Sequence, residues 1–146
     1  MHLYMYTSDY TGDISDIPQD FSHILVKARL HNPTQGITGV LFFDNGKFIQ
    51  VLEGEKEKLD ELVAMIKKDH RHTNFKEVFN LPIQKQELAE WNMRAFNFSS
   101  ETSKNWDLLD QLRDAYLDNF KISSVQIITW LKRFIEDYDR FKRLEQ

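Results

Sequence analysis

The stretch HNPTQGITGVLFFDNGKFIQVLEGE, residues 31–55, decides how this chain folds. Two apolar runs flank Asp44-Asn45-Gly46-Lys47, and Asn-Gly in that setting is the strongest short-range signal for a two-residue hairpin turn. With Asn45 and Gly46 as the turn, Asp44 faces Lys47, and counting back pairs Leu41 with Gln50. Strand alternation then sets Gln50 on the face of Leu41, Phe43, Phe48 and Leu52. An amide among those neighbours needs partners for two donors and a carbonyl, because an unpaired buried amide costs about 1–3 kcal/mol. Either something polar covers that face or the register is different.

The elements around the hairpin follow from periodicity. Residues 2–7, HLYMYT, form a short aromatic strand with Tyr4 and Tyr6 on one face and Leu3 and Met5 on the other. Pro18, close to a start signal at Asp16, opens a helix in which Phe21, Ile24, Leu25 and Ala28 recur at helical spacing. Pro33 disfavours helical geometry at Asn32, so this helix ends near His31. The hairpin strands cover about 37–43 and 47–53, and a second helix, about 56–69, carries Leu59, Leu62, Val63 and Ile66 on one stripe. Residues 75–81 and 93–98 read as further strands, joined by a polar linker from Pro82 to Glu90. The order βαββαββ is that of an α+β, ferredoxin-like sandwich with one added strand and both helices on one sheet face.

The character changes after Phe98, which divides the chain into a domain at 1–98 and a helical extension at 99–146. In the extension Leu108, Leu109, Leu112, Tyr116 and Phe120 repeat at helical spacing. Ser123-Ser124 is the N-cap signal of a last helix carrying Val125, Ile128, Leu131, Phe134, Ile135, Tyr138 and Phe141. Such helices are not stable alone, so their stripes are expected to cover the sheet or a partner surface.

Composition excludes several classes of function. At 146 residues, with 41% hydrophobic and 13% aromatic residues, the chain can bury a real core. A net charge of -4 argues against direct nucleic-acid binding. Without cysteine there is no disulfide framework, thiol nucleophile or thiolate metal site. The N-terminus has no signal-peptide pattern, and no apolar run reaches the roughly 20 residues of a membrane span, so a cytoplasmic protein with no membrane partner is expected. Phosphate-binding glycine loops and nucleophile elbows are absent from the sequence. His70 and His72 lack a third ligand nearby, which favours a polar helix end over a metal site. Glu53-Gly54-Glu55 reads as charge complementing a helix dipole rather than an acid/base pair.

What remains is a set of polar residues where packing alone would place apolar ones. Tyr6 lies on the first strand, Asn32 just past the first helix and Gln50 within the hairpin. In a βαββαβ fold the first and third strands are central neighbours, so Tyr6 and Gln50 meet beneath the groove between the helices. Ile24 and Ile66 line that groove and Asn32 closes it, which suits a flat ligand with polar edges.

The run from His31 to Glu55 closely resembles the signature of BLUF domains, the blue-light sensors that use FAD. The resemblance extends to Tyr6-Thr7-Ser8, to Ala28-Arg29 ahead of His31-Asn32, to Lys68-Asp69-His70-Arg71-His72 and to Trp91-Asn92-Met93, and covers roughly residues 1–98. It implies that Tyr6 donates an electron and then a proton to an excited flavin, with Gln50 lying between that tyrosine and the flavin. Asn32 would hydrogen-bond the carbonyl side of the ring, and Ile24 and Ile66 would sandwich it. Asp69, Arg71 and His72 match the stretch that contacts the ring's polar edge and the ribityl chain. Trp91 and Met93 resemble the pair whose placement beside the glutamine is tied to signalling. Two departures are His31, where many members carry a second asparagine, and Asn92, where serine is common. Lys27 shares a helical face with Ile24 and His31 and is placed to reach the FAD phosphates, although a solvated lysine is the better reading of it alone.

Each of these residues has an ordinary explanation alone: Tyr6 as a core tyrosine, Gln50 as a solvent-facing strand residue after a register slip, His31 as a helix C-cap, Trp91 as a half-buried aromatic. Their joint occurrence selects the sensor. The expectation is a photoreceptor, not an enzyme, whose output passes through a separate protein partner or a changed homo-oligomer such as a dimer. A flavin-dependent oxidoreductase and a cofactor-free interaction domain are the competing readings.

Overall fold

The computed structural model describes residues 1–98 and 123–144. The chain divides into two compact units, Met1–Thr102 and Ser103–Gln146. In the first, the elements run β1 (His2–Tyr10), α1 (Ile17–His31), β2 (Thr38–Asp44), β3 (Lys47–Gly54), α2 (Lys56–Lys67), β4 (His72–Pro82) and β5 (Arg94–Asn97). The five strands form one sheet in the order β4-β1-β3-β2-β5. All neighbours are antiparallel except β2 and β5, which run parallel. This is the ferredoxin-like βαββαββ arrangement, with β5 as the added edge strand.

The hairpin has the register that its turn dictates. Asn45 and Gly46 both have positive φ, 49° and 78°, as a turn matching the right-handed twist of the strands requires. Asp44 pairs with Lys47 and Leu41 with Gln50. On the other side of β3, Tyr6 of β1 lies directly across from Gln50. The two residues are therefore neighbours on central strands.

One core lies between the helices and a single sheet face. It joins Tyr4 and Tyr6 of β1, Phe21 and Leu25 of α1, Leu41 and Phe43 of β2, Phe48 and Leu52 of β3, and Leu59, Leu62 and Val63 of α2. Leu3, Met5, Val40, Phe42 and Val51, on the opposite face, are also buried. Phe42 stacks on Phe96 of β5 with ring centroids 5.3 Å apart.

Several boundaries differ from the sequence expectation, each for a long-range reason. β1 continues to Tyr10 because Tyr10 donates its N–H to the Gly46 carbonyl across the hairpin end. α2 stops at Lys67 rather than 69, and Asp69 to Arg71 lie in the connection to β4, not in the helix. β4 begins at His72, earlier than expected, where that residue pairs with Tyr10. Met93 precedes β5 instead of opening it.

In the second unit, Ser124–Leu144 forms a helix, α3. Ser123 caps it: its Oγ accepts the Gln126 N–H at 3.3 Å, and Gln126 Oε1 accepts the Ser123 N–H at 3.1 Å. This reciprocal capping box bears out the expected start. Ile127, Ile128, Leu131, Phe134 and Ile135 are its buried stripe. The helix expected over Leu108 to Phe120 and the side chain of Phe141 lie outside the described residues. Among the described residues no helix is long and apolar enough to cross a membrane.

Candidate functional site

A cavity of about 170 Å³ opens between α1 and α2 over the centre of the sheet. Ten residues singled out in the sequence line it: Tyr6, Ile24, Lys27, His31, Asn32, Gln50, Ile66, Asp69, Arg71 and His72. Ala28, Leu41, Phe48, Leu62 and Met65 complete the wall. Ala28, Leu41, Phe48 and Leu62 read in the sequence as helix stripe or strand core, whereas Met65, an exposed residue of α2, drew no reading there. Ile24 comes from α1 and Ile66 from α2, so each helix supplies an aliphatic branch to the slot.

The floor is a short chain of hydrogen bonds. The Tyr6 hydroxyl donates to Gln50 Oε1 at 2.6 Å, and Gln50 Nε2 donates to Met93 Sδ at 3.3 Å. All three residues are buried. The amide has two donors and two acceptor lone pairs, so one N–H and one lone pair remain for whatever fills the cavity. The Tyr6 ring stacks on Phe75 of β4, with centroids 4.5 Å apart and planes inclined by 21°. Burial pushes the Tyr6 hydroxyl well above its ordinary pKa, and the nearby Tyr4 and Asp69 add to this. The phenol is therefore neutral throughout the physiological range.

The roof is set by a local turn. Asn32 opens a 3₁₀ turn, Asn32–Gln35, that Pro33 pre-forms and Gly36 ends at a φ of 69°. The Asn32 backbone carbonyl accepts the Ile37 N–H at 3.0 Å, which fixes the residue while leaving its side chain free. Its Oδ1 is buried and has no hydrogen-bond partner among the described residues. A buried acceptor left unpaired is costly, and a ligand N–H in the cavity would satisfy it.

The polar end is built by the segment after α2. Arg71 grips Asp69 through Nε, at 3.0 Å, and Nη2, at 2.6 Å. Those bonds hold the Asp69 carboxyl down at about 2, against the desolvation that opposes it. His72 Nε2 lies 2.6 Å from the Ile66 carbonyl, so Nε2 carries the hydrogen, and Nδ1 lies 2.7 Å from the hydroxyl of buried Ser8. The ring thus ties β1, α2 and β4 together at the cavity edge. His72 is a strand residue held by hydrogen bonds, and among the described residues no cluster of three His, Asp or Glu side chains could hold a metal.

Trp91 and Met93 sit on the connection between β4 and β5. Both are buried, yet neither lines the cavity; Met93 lies against Gln50 instead. Met93 has a φ of 53°, a left-handed geometry that costs a bulky residue roughly 1–2 kcal/mol. The connection is anchored by a residue whose role the sequence reading misassigned. Glu53 is fully buried in β3, and its carboxylate accepts the N–H groups of Glu87, at 2.6 Å, and Leu88, at 2.9 Å. It also accepts the Thr38 hydroxyl at 3.2 Å. It therefore fixes the connection rather than complementing the dipole of α2. An acidic residue at a strand position otherwise occupied by apolar side chains was the available signal.

A two-helix cover over a mainly antiparallel sheet, with an apolar slot floored by Tyr6 and Gln50 and roofed by an unpaired amide oxygen, has the shape and polarity of a binding domain for a flat heteroaromatic group. The family model for BLUF, sensors of blue light using FAD, matches residues 1–94, and the chain belongs to that family. A photoactivated adenylate cyclase subunit beta of Euglena longa is 38% identical over 89 residues, 60% of this chain and 10% of that protein. The alpha subunit of Euglena gracilis is 36% identical over 75 residues, 51% of this chain and 7% of the relative. The chain thus spans about a tenth of the length of the curated relatives it matches. Among solved structures, the photo-activated state of BlsA superposes with a TM-score of 0.71 at 27% identity, covering 92% of this chain and 94% of that one. The dark state of the BLUF protein BlrB gives 0.67 at 25% identity, with 92% and 93% covered.

Proposed function

We propose that this chain is a blue-light photoreceptor that holds FAD in the cavity between α1 and α2 and signals by rearranging Gln50. The observation that carries the proposal is the continuous contact from Tyr6 through Gln50 to Met93 along the cavity floor. Asn32 Oδ1 and the spare N–H of Gln50 suit the amide-like edge of a flavin, one accepting from the ring N–H and the other donating to a ring carbonyl. Ile24 and Ile66 supply the apolar faces. Lys27 lines the same cavity and suits the phosphates, His31 offers an edge-stacking imidazole, and Asp69, Arg71 and His72 lie along the ribityl side.

Bound flavin supplies a chromophore that absorbs blue light and, once excited, accepts an electron. Tyr6 is the donor: it is the phenol in direct contact with Gln50, and it is neutral in the ground state. Its oxidation makes the hydroxyl strongly acidic, and the first acceptor of its proton is Gln50 Oε1. The amide would in turn pass an Nε2 proton to the bound flavin, and return of one electron and one proton through the amide would restore the Tyr6 phenol, so that protons and electrons balance. The amide emerges rotated or tautomerised, donating differently to the ring carbonyl and no longer positioned for Met93 Sδ. Met93 and Trp91 thereby form the two-state element that carries the signal.

The output of this reading is a protein contact, made through a separate partner or a second copy of the chain, and no reaction is assigned to residues 1–98. The Euglena photoactivated adenylate cyclase subunits named above are proteins of far greater length. The test is the visible spectrum of the pure protein in the dark and after blue light. A reversible red shift of a flavin band supports the reading. A colourless protein that takes up no flavin overturns it, and bleaching with turnover of an electron donor would favour an oxidoreductase.

A further inference from the structure

The backbone carbonyl of Met93 has a partner that binding at the cavity does not require. Arg29 Nε and Nη2 both donate to it, at 3.2 and 3.0 Å. Arg29 stands on α1 directly after Ala28, which lines the cavity, but Arg29 itself does not line it. Among the described residues it has no acidic partner. A guanidinium ordinarily spreads its fork over the two oxygens of a carboxylate; here both arms converge on one peptide oxygen.

That oxygen belongs to the residue whose backbone is least comfortable. Met93 has a φ of 53°, and such a conformation persists only where its surroundings over-determine it. Three other contacts contribute. Met93 N–H bonds the Trp91 carbonyl at 2.8 Å, Gly39 N–H bonds the same carbonyl at 2.9 Å, and Gln50 Nε2 bonds Met93 Sδ at 3.3 Å. The first two are backbone bonds local to the turn and to β2. The third is a neutral contact to a weak acceptor, and it is lost when the amide of Gln50 turns. The charged contact from Arg29 is then what keeps Met93 in place.

We infer that Arg29 is a positioning residue that holds Met93 beside Gln50 and so sets the rate at which the switch returns after light. This rests on the photoreceptor reading given above. Withdrawing Met93 from Gln50 lets its φ relax to the common negative range, which swings the carbonyl away from α1. The withdrawn arrangement therefore loses both bonds to Arg29, while the arrangement with Met93 against Gln50 keeps them. A contact present in one of two states and absent from the other shifts the equilibrium between them by its own free energy. Because Arg29 is an exposed side chain on α1, its removal buries no unpaired charge and leaves the cavity wall intact.

The experiment uses the full chain loaded with FAD and the variants Arg29→Met and Arg29→Lys. Two quantities are read: the thermal decay of the red-shifted state after a blue pulse, and the dark-state resonance of the Met93 ε-methyl, assigned with Met93→Leu. Arg29→Met is expected to retain flavin and the full red shift and to slow recovery about fivefold, the size of one ordinary hydrogen bond, because the charge of this exposed side chain is screened by water. Its Met93 methyl resonance moves or splits in the dark. Arg29→Lys, which keeps the charge and a donor, brings the rate at least halfway back. Recovery of Arg29→Met at the parental rate or faster, an unmoved methyl resonance, or no rescue by lysine each overturns the inference. A parental protein with no reversible red shift overturns the photoreceptor reading, and the inference with it.

Discussion

Strand β3 buries two polar side chains, three residues apart and on opposite faces of the sheet. Glu53 has its carboxylate enclosed by two backbone N–H groups and a hydroxyl. Gln50 has one firm partner, the Tyr6 hydroxyl, one weak one, the Met93 sulfur, and unused capacity facing a cavity. The first is a fixed joint, since moving it breaks several strong bonds at once. The second has room to change partners. Burial alone would rank the two together, and the degree of hydrogen-bond satisfaction separates structure from function.

That contrast can be attacked directly. The largest effect is expected from Tyr6→Phe, which removes the firm partner of Gln50 and the exchangeable proton. Flavin binding survives and the reversible red shift is lost; light-minus-dark spectra showing a full shift would remove Tyr6 from the mechanism. On the fixed side, Glu53→Gln turns an amide toward a backbone donor and costs about 2 kcal/mol of stability. Urea denaturation measures this, and an unchanged midpoint would mean that the β4–β5 connection does not depend on the carboxylate.

A third change tests whether unsatisfied capacity marks the site. Asn32→Leu removes the unpaired Oδ1, so the flavin-free protein should be as stable as the parent or more stable by about 1 kcal/mol. Flavin affinity, followed by fluorescence titration, should fall about tenfold. Equal affinity would show that the oxygen meets no ligand.

The smallest effect concerns the Asp69–Arg71 pair. Arg71 lowers the Asp69 pKa from 3.8 to about 2 in the folded protein. The folded value lies below the unfolded one, so the stabilisation is complete above the unfolded pKa and is lost as pH falls through the folded value. Thermal midpoints of Asp69→Asn should therefore decline less steeply than those of the parent between pH 4 and 2. Parallel curves would count against the pair.

Much of this was legible in the sequence because local chemistry settled it. Asn45-Gly46 admits essentially one turn, that turn fixes the register, and the register places Gln50. Pro33 and Gly36 bracket the turn that presents Asn32 in the same way. The helix stripes put Ile24 and Ile66 on the walls. What could not be read depends on contacts across the chain. Glu53 looked like helix-terminal charge because its donors, Glu87 and Leu88, come from a connection with no regular pattern. Arg29 drew notice only as part of a motif, and its hold on Met93 spans 64 residues. The ends of β1 and β4 were misjudged because each is extended by pairing with the other, beyond the reach of local propensity.

The bond between Tyr6 and Gln50 closes a loop of 44 residues, and it forms only after β1 has docked beside a finished hairpin. Pairings so distant in sequence are late, slow events in folding. Helix and hairpin signals should therefore appear in refolding experiments before the protein can take on colour. Pigmentation then serves as an inspection stamp for the central strand pair: in refolding with FAD present, yellow should appear only after native-like helical circular dichroism has returned.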